Sequence, residues 1–238
     1  MQPAASVNPV LLAEDLLLLL TNDESGKLVV SGSEADVALA GALLMELTLG
    51  ERIELAGESG KAKKGTVVVR DGSPTGDALL DEALATLGHS RPKKPQDLLG
   101  KLGKDIRPRL YERLATAGVV RAEQGKVLGI FPTSRWPERD ATHERELRDR
   151  LSGILVQGDE PDPRTASVVA VLHALRTLPK VIDAKAHGIP KRDLNSRATA
   201  ISEGNWGSQA VRRAIDDMTA AIVAATAAVV VSTSATGD

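Results

Sequence analysis

The stretch NPVLLAEDLLLLL, Asn8 to Leu20, places leucines around the whole circumference of a helix, with Asn8 and Pro9 as its start signals. A helix with no polar face has to be enclosed, so this segment predicts a helix buried on most sides. Glu14 and Asp15 interrupt the apolar run, and neither a basic start nor a small-residue cleavage site accompanies it. It therefore does not read as a signal peptide.

Working outward, TNDESGKLVV supplies a polar turn at Gly26 and a short strand pair near Leu28 to Val30. Ser33 followed by Asp36, then Val37, Ala40, Leu43, Leu44 and Leu47, predicts a second helix with a capping-box-like start and a stop at Gly50. Short apolar runs around Gly57, Gly60 and Gly65 predict a β-hairpin with a basic loop at Lys61, Lys63 and Lys64.

The stretch SPTGDALLDEAL, Ser73 to Leu84, opens a helix that ends at Gly88, and helices over about 95–102 and 106–117 follow. A second hairpin is expected within VVRAEQGKVLGIFPTSRWPERD, then a helix from Ala141 through Leu155 and an apolar helix in TASVVAVLHALRTLPKVI. The stretch AHGIPKRD reads as a basic loop, and a terminal helix runs from about Gly207 to Val231. Its uncharged tract, Ala220 to Val231, is shorter than the roughly 20 residues a membrane span needs.

The chain of 238 residues shows no fixed repeat and no linker between compositionally different halves. It contains no cysteine, which excludes disulfides, thiolate catalysis and thiolate zinc sites and fits a reducing compartment. A formal net charge of -2 gives no global field toward nucleic acid, so none is expected as a partner. Aromatic residues are only 2% of the chain, and the core must come from aliphatic side chains.

Four features carry candidate chemistry. Asp77 and Asp81 share a helix face with Glu82 beside them, as a divalent metal or an acid/base pair would require. Helix capping by Thr75 and the helix dipole account for the same carboxylates, and no histidine completes a metal site. His89, His143, His173 and His187 are scattered without ligand spacing; no metal or cofactor is expected, and no nucleotide-binding or nucleophile motif indicates an enzyme.

Arg91 to Arg109 holds seven basic residues against Asp97 and Asp105. Lys104 and Arg107, three apart, would converge on one phosphate if the turn between them is helical. A plain solvated surface explains the same residues. Finally, FPTSRWPER sets Phe131 and Trp136 beside Arg135 and Arg139, a combination suited to a membrane interface or a partner. Packing of Phe131 in the core and of Trp136 over a neighbouring helix is the alternative.

With VLLAEDLLLLL (Val10–Leu20), GALLMELTLGERIEL (Gly41–Leu55), SPTGDALLDEAL and RPRLYERLATAGVV (Arg107–Val120) in this order, the chain resembles the Golgi phosphoprotein 3 family of phosphatidylinositol 4-phosphate-binding peripheral membrane proteins. The resemblance implies a mainly α fold: a single helical-bundle domain over residues 8–231 with surrounding amphipathic helices and short β-hairpins, and no catalytic activity. Residues 1–7 and 232–238 are expected to be disordered.

It also implies a lipid-phosphate site. The family's pocket tryptophan and one of its arginines fall at Ser31 and Ala40, where those ligands are lost; the other two basic ligands fall at Lys104 and Arg107. The membrane-entering hairpin corresponds to about 124–136, with Leu128, Ile130, Phe131, Arg135 and Trp136 as contacts. The partners implied are an anionic phospholipid surface and the cytosolic tails of membrane enzymes, with self-association left open. The location implied is cytoplasmic and peripherally membrane-associated, at the cytosolic Golgi face in a eukaryote. The segment MQPAASVNPV lacks the basic residues with which eukaryotic members engage coatomer, and the Ala/Gly-rich, Cys-free composition suggests a bacterial member.

Overall fold

A computed structural model of the chain describes residues 10–22, 25–59, 61–121, 123–127, 131–136, 139–184, 186–204 and 206–234. Ten α-helices and two two-stranded antiparallel hairpins are present among them. The first helix, α1 (Leu12–Leu19), is buried along all eight residues, as its sequence requires. Against it pack α2 (Gly32–Leu49), α5 (Ile106–Thr116), α6 (Thr142–Ser152) and α7 (Pro163–Ala174), and the long α10 (Gln209–Ser234) packs in turn on α2 and α7.

The carboxylates of α1 are the exception to its leucine surface, and they organise its neighbours. Glu14 accepts from its own N-terminal amide, Leu11 N, at 2.8 Å and from Arg113 Nε of α5 at 2.8 Å. Asp15 accepts from His143 Nε2 of α6 at 2.7 Å and from Arg164 Nη2 of α7 at 2.9 Å. Arg164 also donates to Glu46 of α2 at 2.6 Å and to the Val10 carbonyl at 2.6 Å. A buried charge is tolerated only when paired and hydrogen-bonded, so Glu14 fixes α5 against α1 and Asp15 fixes α6 and α7.

The longest packing seam joins α2 to α10. Gly41 makes this approach close: a Cβ there would run into Ile222 Cδ1 of α10, and both residues are buried in the seam. The helix-propensity penalty of a mid-helix glycine, about 1 kcal/mol relative to alanine, is the cost of that contact.

The cap of α2 differs from the sequence expectation. Ser31 is the N-cap, its Oγ accepting from Glu34 N at 3.2 Å while Glu34 Oε2 accepts from Ser31 N at 2.8 Å. The capping box thus lies two residues before the expected Ser33/Asp36 pair, which has the same spacing. Gly50 ends the helix as expected.

Strands β1 (Ile53–Leu55) and β2 (Val67–Val69) form the first hairpin with Ile53 opposite Val69, and β3 (Glu123–Val127) and β4 (Phe131–Arg135) form the second with Val127 opposite Phe131. Between them lie α3 (Ala78–Gly88) and α4 (Gln96–Leu102). The anticipated strand pair near Leu28 to Val30 is a single bridge, Thr21 to Leu28, closed by Val29 N donating to Leu20 O at 2.8 Å.

Three further differences concern the C-terminal half. A π turn, Gly153–Gln157, continues α6 and ends at Gly158 in the left-handed region, φ 86°. Its Leu155 and Val156 carbonyls accept from Arg197 Nη1 at 2.9 and 2.6 Å. Arg197 belongs to α9 (Lys191–Ser202), a helix the sequence reading missed; it begins at Lys191 and Arg192, expected in a loop, and follows the short α8 (Leu178–Val181). The terminal helix α10 runs on to Ser234, past the expected end at Val231, because no Gly or Pro intervenes before Gly237. Residues 1–7 lie outside the described residues, as do 235–238 of the expected tail.

Candidate anion-binding cavity

Asp77, not Thr75, caps α3, its Oδ1 accepting from Leu79 N and Leu80 N at 2.9 and 3.3 Å. Its Oδ2 lies 2.8 Å from Arg113 Nη2, a charge contact without aligned hydrogen-bond geometry. Thr75 instead donates through N and Oγ1 to Asp81 Oδ1 at 2.6 and 2.7 Å, and these bonds hold the Asp81 carboxyl below the usual carboxylate range. The two carboxylates therefore serve two turns of backbone, and no group of three His, Asp or Glu among the described residues is placed to hold a metal.

The basic segment divides at one residue. Asp105 has φ 55°, in the left-handed region, so the chain from Lys104 to Arg107 is not one helical turn. The condition for convergence on one phosphate is not met: the two side chains line different cavities. Lys104 lies with Lys101, Glu82, Thr86 and Arg109 around a space of about 370 Å³, where Arg109 is paired with Glu82 at 2.5 Å.

Arg107 faces a second cavity, of about 420 Å³, together with Lys27, Gly32, Pro108, Tyr111 and Trp136. Three pieces of chain build it. The bridge at Thr21 and Leu28 holds the loop that carries Lys27, and the first turn of α2 contributes Gly32. The first turns of α5 contribute Arg107, Pro108 and Tyr111.

Tyr111 and Trp136 form the wall. Their rings stack with centroids 4.9 Å apart and planes 2° from parallel. Thr21 Oγ1 donates to Leu17 O at 2.7 Å, so at 2.8 Å from the phenol it accepts the Tyr111 hydroxyl proton. Burial pushes the Tyr111 hydroxyl above its usual pKa, so the phenol stays a neutral donor. Trp136, directly after β4, is thereby seated on α5 at the base of the hairpin.

Arg107 is partly covered, with 32% of its side chain exposed, and it is not idle. Its Nε donates to Asp36 Oδ1 at 2.6 Å and its Nη2 to Oδ2 at 3.3 Å. Gly32 leaves room for the guanidinium: a Cβ there would stand 2.9 Å from Nη2. Asp36, expected to cap α2, is the partner of Arg107 instead.

The remaining sequence candidates fall as follows. Ser31 caps α2 beside the cavity-lining Gly32, and Ala40 is fully buried in α2 among the core residues. Phe131 and Arg135 are the terminal residues of β4. Leu128 and Ile130 lie outside the described residues. Sequence reasoning did not single out Tyr111, Asp36 or Lys27 for the cavity. An aromatic in a chain with so few of them was the one available signal for Tyr111.

A larger cavity, of about 560 Å³, lies between the π turn and α9, with Asp159, Glu160, Arg197 and Trp206 in its lining. Its guanidinium is held by the Leu155 and Val156 carbonyls. No helix among the described residues is long and apolar enough to cross a membrane.

Together these features define a mainly helical domain with two hairpins and a cation-bearing, aromatic-walled surface cavity. The chain belongs to the Golgi phosphoprotein 3 (GPP34) family, whose model matches residues 12–218. It is similar to the vacuolar protein sorting-associated protein 74 of Eremothecium gossypii, 28% identical over 202 residues, covering 72% of this chain. The match spans 61% of that relative's length.

Proposed function

We propose that the protein is a non-enzymatic peripheral membrane protein that holds an anionic phospholipid headgroup at the Arg107 cavity, phosphatidylinositol 4-phosphate being the family's headgroup. The observation that carries the reading is the partly exposed Arg107 guanidinium facing a cavity of about 420 Å³ with Lys27 at its rim. A planar fork beside a point charge is the chemistry that recognises a phosphate. Membership of a family of phosphoinositide-binding Golgi peripheral proteins supports the choice of ligand.

Lys104, in the other cavity, adds a third positive contact for the proposed anionic surface. Trp136 and the hairpin residues Leu128, Ile130, Phe131 and Arg135 are its proposed membrane-facing element, and the tails of membrane enzymes its proposed protein partners.

A second reading, a protein-interaction scaffold of the same fold without phosphoinositide specificity, is favoured by Ser31 and Ala40: one caps a helix, the other is enclosed in the core. Co-sedimentation with vesicles decides between them. Binding to anionic vesicles that falls with salt, weakens in Arg107→Ala and weakens further with Lys104→Ala is the expected result. Equal binding to neutral and anionic vesicles, or none to either, overturns the lipid reading.

A further inference from the structure

Resting on the lipid-binding reading above, we propose that Asp36 is a built-in competitor for the headgroup, its carboxylate filling the Arg107 fork until a phosphate takes its place. The Asp36 oxygens meet Nε and Nη2 in the two-pronged geometry by which a guanidinium binds either a carboxylate or a phosphate. Asp36 occupies the Nε–Nη2 edge, so a phosphate that takes this edge has to displace the carboxylate.

The competitor is fixed and the cation is the movable part. Asp36 stands in the second turn of α2, an 18-residue helix. Its carbonyl is covered by the turn before α5, where a Cβ at Gly103 would lie 2.8 Å from Asp36 O. Arg107 hangs on a long side chain from α5. The pair is one third exposed on both sides, 32% and 33%, so water and a ligand reach it without any helix moving. Exchange then requires only that the guanidinium rotate from Asp36 into the cavity it already lines.

This arrangement has two effects. The free protein carries less positive potential at the cavity than Lys27 and Arg107 would give alone, and a weakly anionic surface does not displace the carboxylate. A phosphomonoester, which carries more than one charge and several acceptor oxygens, does so more readily. Asp36 thereby sets a threshold of anion strength for docking.

The test is Asp36→Asn, which keeps the size of the side chain and removes its charge. Asp97→Asn, an exposed acid on α4, is the control for net charge. Wild type, both variants and Asp36→Asn/Arg107→Ala are titrated with phosphatidylcholine vesicles carrying phosphatidylinositol 4-phosphate. The same proteins are titrated calorimetrically with inorganic phosphate.

Asp36→Asn should bind the phosphoinositide vesicles about fivefold more tightly, the factor equivalent to about 1 kcal/mol for a partly exposed pair. The gain should vanish with Arg107→Ala and be absent in Asp97→Asn. Thermal midpoints are read in parallel, and if Asp36→Asn is unstable then Asp36→Ser replaces it.

Wild-type binding with no gain in Asp36→Asn, a gain that survives Arg107→Ala, or an equal gain in Asp97→Asn overturns the competitor and leaves the lipid reading standing. A gain for inorganic phosphate alone supports the competition and overturns its membrane source. No vesicle binding by any of the proteins overturns the lipid reading itself.

Discussion

Arg164→Met removes the guanidinium that joins α7 to α1 and α2 while keeping an apolar stem of similar length. Four donations are lost: two to Asp15 Oδ2 at 2.9 and 3.2 Å, one to Glu46 Oε1 at 2.6 Å and one to the Val10 carbonyl at 2.6 Å. Asp15 is only 4% exposed, so its charge cannot be taken over by water. Removing one partner of a buried ion pair costs about 3 to 5 kcal/mol. Asp15 keeps His143, Glu46 keeps the Leu12 amide, and Arg164 itself is 29% exposed. These place the loss at the lower end, about 3 kcal/mol.

Urea unfolding followed by circular dichroism reads it directly. With a denaturant slope of about 3 kcal/mol per molar, the midpoint should fall by about 1 M. Asp15→Asn/Arg164→Met, which removes the orphaned charge as well, should recover at least half of the loss. A loss below about 1 kcal/mol, or a double variant no more stable than the single, would refute the view that these ion pairs seat α1.

Three further outcomes follow from individual contacts. The hydrogen bond to Asp15, opposed in part by burial, raises the His143 pKa above its ordinary value of 6.5. Its stabilisation is therefore complete below pH 6.5 and is lost as pH rises through the folded-state value, so wild type should lose stability relative to His143→Gln as pH rises above 6.5; parallel profiles would contradict this. Asp77→Ala, losing the α3 cap and the contact to Arg113, should cost about 2 kcal/mol in thermal unfolding, against well under 1 kcal/mol for the exposed Asp97→Ala. Gly41→Val should destabilise by about 1 to 3 kcal/mol despite removing a mid-helix glycine, because the seam against Ile222 has no room; a gain in stability would show that the seam can open.

Some of this molecule was legible before any packing was considered. Leucines on every face of residues 11–20 allow only an enclosed helix, and that is where α1 lies. The hairpins were visible because glycine-spaced apolar runs have few other solutions. By contrast, α9 buries Leu194 and Ala198 among Asn, Ser, Thr and charged residues, too thin a stripe for a periodicity to register. Its place is set by packing on α7 and by Arg197 reaching the carbonyls of the π turn.

The cavity shows the same division more sharply. Sequence alone supplied one of its two charges, Arg107, and the scarcity that drew attention to Trp136. It could not choose between Ser31/Glu34 and Ser33/Asp36 as the cap of α2, since local spacing is identical in both. Arg107, 71 residues away along the chain, makes the choice visible by occupying Asp36. Nor could it separate Lys104 from Arg107, which a single left-handed residue assigns to different cavities, or set Trp136 on Tyr111. Hydrophobic periodicity is a local property and is written in the order of residues. Ion pairs, stacked rings and cavity walls depend on which distant segments arrive at the same place, and only the folded chain decides that.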